Sequence, residues 1–167
     1  MKHLVLSLLM AGSVVACGSD DKKTNDLTPF LGMWNVGQAK VKVACAGFGD
    51  LEGGLTGVVN VVAGTGADLA MTFTDPALTG CTLRFNVKDA STATPLSGQS
   101  CAVSLQGITA TLNVASGTFS AAGNNANMNL DGTANGSLGN IAFTCMGNVA
   151  GSLSRGATTD AGTDTAL

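Results

Sequence analysis

The sequence predicts an all-β fold: an antiparallel up-and-down meander of about eight strands that closes into a small barrel carrying two disulfides. Three observations predict it. Apolar and polar residues alternate over long stretches, most cleanly from Ala126 to Leu138 and from Ile141 to Leu153, which is the period of a strand with one wet face. No stretch beyond the first few residues carries a long helical pattern, and Gly, Thr, Ser, Asn and Ala dominate, as in strands joined by tight turns. Cys45, Cys81, Cys101 and Cys145 all fall within the alternating region.

The chain opens with Met1-Lys2-His3, followed by 13 apolar or small residues from Leu4 to Ala16. A bilayer span needs about 20, so the run fits the core of a secretory signal. Its end, Val14-Val15-Ala16-Cys17, resembles the bacterial lipobox. That resemblance implies a signal peptide at 1–16, removed on export, and a lipid on Cys17. Gly18 follows where an inner-membrane retention signal would have Asp. The implied location is therefore the outer membrane, lipid-anchored and facing periplasm or surface, with the membrane as a partner through the anchor. Setting Cys17 aside leaves four of the five cysteines. An even number in an exported chain points to disulfides. None sits in a CxxC or Cys/His pattern, so no zinc site is expected.

Removing residues 1–16 leaves 151, one domain's worth. Lys2 leaves with them, so seven basic residues face eleven acidic ones, a formal −4. There is no basic patch to hold phosphates, and no nucleic-acid partner is expected. Residues 17–28 are polar and read as the lipidated cysteine and a flexible tether. The barrel domain is placed at 29–155, and 156–167 reads as a disordered tail.

Within the domain, Gly32-Met33-Trp34 opens the first strand. Trp34 and Val36 share a face, which passes to Ala39, Val41, Val43 and Cys45, so a β-bulge is expected at Gly37-Gln38. The segment 47–54 reads as a Gly-rich solvated turn, and 55–63 as a β-branched strand. Leu69, Met71 and Phe73 alternate with small or polar residues until Asp75-Pro76. Cys81, Leu83, Phe85 and Val87 form the next inward row, and 89–98 reads as a loop. Cys101, Val103 and Leu105 point in, then Ile108, Ala110, Leu112 and Val114, before a second slip at Ser116-Gly117 shifts the face to Phe119 and Ala121. Gly139-Asn140 is a two-residue hairpin loop between the last two strands. These run to about 13 to 15 residues each, against a usual 5 to 6, and long tilted strands suit a barrel.

Gly32-x-Trp34 resembles the start of a lipocalin or related calycin barrel. In that superfamily the Trp closes one barrel end beside a basic side chain of the last strand. The resemblance implies that Trp34 and Arg155 form this closure, with the guanidinium over the indole. A register test follows, because opposed residue numbers in antiparallel strands have a constant sum. Trp34 with Arg155 gives 189 and Cys45 with Cys145 gives 190, a difference that the bulge supplies. Four cysteines allow three connectivities. This register selects Cys45–Cys145, across the first and last strands, and Cys81–Cys101.

Chemistry is scarce. The chain after residue 16 has no His, so no Ser-His-Asp or Cys-His site can be built. Asp50 and Glu52 could pair as acid and base, but they read as a solvated turn. Asn127, Asn129 and Asp131 have the spacing of a calcium-loop start, yet Leu138 stands where that loop needs Glu. No enzyme activity, metal or cofactor is assigned, and Asn135-Gly136-Ser137 is a sequon without meaning in a bacterial lipoprotein. Met71, Phe73, Phe85, Met128, Leu130 and Phe143 are the candidate lining of an apolar interior. Gly132, Ala134, Gly136, Gly147 and Gly151 share their phase. Two functions stay open: a calycin-like barrel that binds a small apolar ligand, or a surface structural or adhesion module with a filled core. In the second, the inward glycines serve tight coiling of long strands.

Overall fold

The computed structural model describes residues 25–47 and 49–156. The expected lipidation site at Cys17, the signal peptide and most of the expected tail lie outside these residues. Among the described residues ten strands form, all paired antiparallel: β1 (Gly32–Cys45), β2 (Gly49–Leu55), β3 (Val58–Ala63), β4 (Leu69–Phe73), β5 (Thr82–Val87), β6 (Thr92–Pro95), β7 (Gln99–Leu105), β8 (Ile108–Ala122), β9 (Asn125–Leu138) and β10 (Ile141–Ser154). One short 3-10 turn, Pro76–Leu78, interrupts them. The eight-stranded closed circuit runs β1, β3, β4, β5, β6, β8, β9, β10 and back to β1. Strands β2 and β7 are additions, pairing with β1 and β8.

The register of β1 on β10 follows the bulge. Opposed numbers sum to 189 at Asn35–Ser154 and to 190 at Ala39–Gly151, with the shift between Val36 and Ala39. The second slip is also present, between Val114 and Ser116. Both disulfides form as the register selects, Cys45–Cys145 and Cys81–Cys101.

Two expectations are corrected. Gly49–Leu55 is a strand, not a turn, and pairs residue by residue with Ala39–Cys45. Its three glycines and two acids have poor strand propensity. Pairing with β1 overrides that, and Lys42 lies 2.7 Å from Asp50 and 3.5 Å from Glu52. The segment 89–98 likewise holds a short strand, β6, docked between β5 and β8.

Buried polar groups finish the ladders where strands run short. The Gln99 amide accepts from Arg84 N at 2.6 Å and donates to Arg84 O and Leu96 O, each at 2.9 Å. It stands in for a peptide unit beside β5. Asp75 accepts from Thr56 N, Thr56 Oγ1 and Ala77 N, which caps the 3-10 turn and ties it to the β2–β3 connection. Such satisfaction is what lets polar groups be buried.

Candidate functional site

One end of the barrel is sealed by aromatics. Phe119 on β8 is the hub, with ring centroids of Trp34, Phe30 and Phe85 at 5.8, 5.9 and 6.2 Å. All four are fully buried. Trp34 Nε1 donates to Phe30 O at 2.9 Å. Arg155 lies over the indole, its guanidinium carbon 4.2 Å from the ring centroid. Its Nη2 donates to the carbonyls of Thr28 and Pro29. The structure thus brings Trp34 and Arg155 together. The incoming chain contributes as well, since contacts begin before Pro29. Asn25 Nδ2 donates to Val87 O, and Leu27 packs against the core. Phe30 had no periodic signal to mark it, because it precedes the first strand.

The interior comes next. Met71, Phe73, Phe85, Met128 and Leu130 are all buried in one continuous core. Phe143 is only partly buried and sits at the other end. The inward glycines do not open space. A methyl on Gly147 would meet the Leu112 side chain, one on Gly132 the Asn113 carbonyl, and one on Gly151 the backbone and side chain of Ala39. Neighbouring strands approach closely at these positions, and large side chains from opposite strands fill the middle.

The end away from Trp34 is shaped differently. Pairing of β10 with β1 stops at Met146, and that of β9 with β8 at Gly136. The β9–β10 hairpin therefore overhangs the barrel. Its inward phase continues through Leu138 and Ile141, which are 48% and 57% exposed. Beneath it lies a cup of about 80 Å³ lined by Cys45, Leu51, Ile108, Leu138 and Phe143. A narrower space of about 10 Å³ shares Leu51, Ile108 and Phe143 and adds Val43, Val103, Leu105 and Ala110. Of the cup residues, Leu51 was hidden inside the expected turn, whereas Ile108, Leu138 and Phe143 are legible in the inward phase.

The outer face is polar and carries little chemistry. Asn148 Nδ2 donates to Asn129 Oδ1, Leu130 O and Asp131 Oδ1, and Thr144 to Asn135. Hydrogen bonding to Asp50 raises the pKa of the exposed Lys42 ammonium above its usual value, with Asp50's charge and Glu52 adding to it. Among the described residues, no group of three or more His, Cys, Asp or Glu is placed to hold a metal. No protein-family model, curated protein or solved structure matches the chain.

Proposed function

We propose that the protein is an outer-membrane lipoprotein, anchored through Cys17, that displays a rigid β-barrel as a structural or adhesion module. The observation that carries this reading is the filled interior: Trp34, Phe85, Phe119, Met71 and Leu130 occupy the volume that an internal ligand would need. The stack of Arg155 on Trp34 supports a calycin-like plan, used here as a scaffold. Two disulfides and an eight-strand closed circuit suit a domain exposed outside the cytoplasm. The surface for display is the Asn/Thr/Ser face of β8, β9 and β10, where Asn148 bridges Asn129 and Asp131, and Thr144 is bonded to Asn135.

Two measurements test it. Cells fed radiolabelled palmitate should label the wild-type chain and not Cys17→Ser; equal labelling removes the anchor. Trp34 emission should stay constant during titration with long-chain fatty acids. Saturable quenching of Trp34 would restore the internal apolar ligand and overturn the filled-core reading.

A further inference from the structure

The apolar cup under the β9–β10 hairpin has no role in a display module. Its lining, Cys45, Leu51, Ile108, Leu138 and Phe143, offers no polar side chain, so it selects an apolar occupant and leaves any head group in solvent. Size narrows the choice. An apolar cavity of about 150 Å³ accepts benzene; at about 80 Å³ the cup is about half that volume and suits the narrow end of an aliphatic chain better than a ring. The narrow space below, between Val43, Val103, Leu105 and Ala110, continues the same apolar wall inward. The exposed Leu138 and Ile141 extend it outward along the hairpin. The cup is also turned away from the incoming chain. Asn25 to Pro29 dock beside Val87 and Arg155 at the Trp34 end. Trp34 and Cys45 lie eleven residue steps apart along β1, roughly 35 Å of strand.

We propose that the cup is a binding site for the end of an unbranched aliphatic chain carried by a separate molecule. The assignment does not depend on anchoring or on display. The test is a titration of the full, oxidised chain with n-alkan-1-ols from propanol to octanol, followed by NMR of the side-chain methyls. Saturable shifts are expected at Leu51, Ile108 and Leu138 and not at the exposed Met33 and Val62. Kd should fall about fourfold per added methylene, the equivalent of about 0.8 kcal/mol, and then level off once the cup is full. Cyclohexanol should bind more weakly than hexanol. Ile108→Phe should abolish the shifts, while the wild-type series alone decides the matter if that variant misfolds. A gain per carbon without a plateau, equal shifts at Met33 and Val62, or tight cyclohexanol binding would each overturn the site. Before any alcohol is added, wild type and Cys17→Ser should give superimposable methyl signals. A difference confined to the cup would show the chain's own lipid there and overturn the separate molecule.

Discussion

Arg155 shows how one side chain ties the start and the end of the barrel together. It stacks on Trp34 and donates to Thr28 and Pro29, so last strand, first strand and incoming segment meet at one guanidinium. Its Nε is buried without an acceptor, resting over the indole. Arg155→Ala should cost about 1–3 kcal/mol, from the lost cation–π contact and the carbonyls left unpaired. Urea unfolding would read the loss, and Trp34 emission should shift to the red as water reaches the indole. Gln99 gives a sharper test, because its amide both accepts and donates. In Gln99→Glu the carboxylate still accepts from Arg84 N, but it faces the carbonyls of Arg84 and Leu96 with no proton to give. Repulsion raises the folded-state pKa above the ordinary Glu value of about 4.3. The variant should therefore be close to wild type in acid. It should lose stability as pH rises from about 4 toward the raised pKa, reaching a deficit of about 3 kcal/mol at neutral pH. Equal destabilisation at every pH would remove the donor role from Nε2.

At the scale of strands, glycine decides how closely neighbours approach. Gly151 on β10 faces Ala39 just past the β1 bulge, where any Cβ collides with backbone. Gly54 on β2 has nothing within 4 Å of a Cβ. Gly151→Ala should thus cost about 3 kcal/mol or more, since β1 and β10 must part, whereas Gly54→Ala should fall within about 0.5 kcal/mol of wild type. Thermal melts of the pair would separate close approach from a general cost of replacing strand glycine. The same contrast explains what the sequence made legible. Strands β8, β9 and β10 have one wet face and one dry face, so their period of two is plain, bulge included. β2 is not legible: Gly53 and Gly54 with Asp50 and Glu52 read as a turn until Lys42 and the backbone of β1 are supplied. Pro95 in β6 reads as a strand breaker, yet it is tolerated opposite Phe85. The cup escaped for a related reason. Ile108, Leu138 and Phe143 carry the inward phase, but Leu51 sits in the unreadable β2, and only tertiary pairing places it beside them.

For the whole molecule, the decisive event is closure of β1 on β10, the contact between strands farthest apart in sequence. Eight residue pairs hold that seam, and Cys45–Cys145 lies just beyond the last of them. Nonlocal pairing of this kind costs loop entropy before it gains anything. A cross-link there removes more freedom from the unfolded chain than one placed locally. Cys45–Cys145 spans 100 residues and Cys81–Cys101 spans 20. Chain-entropy scaling gives about 4.7 kcal/mol for the first and about 3 for the second. Replacing Cys45 and Cys145 together by Ala should therefore lower the urea midpoint further than replacing Cys81 and Cys101. The larger effect would come although the seam keeps all eight of its pairs. If the Cys81–Cys101 pair proved the more costly, loop entropy would not be the controlling quantity. The stability of the barrel would then rest on how β7 and the 3-10 turn are held against β5, with the closing seam already secure through backbone pairing and the Arg155–Trp34 cap.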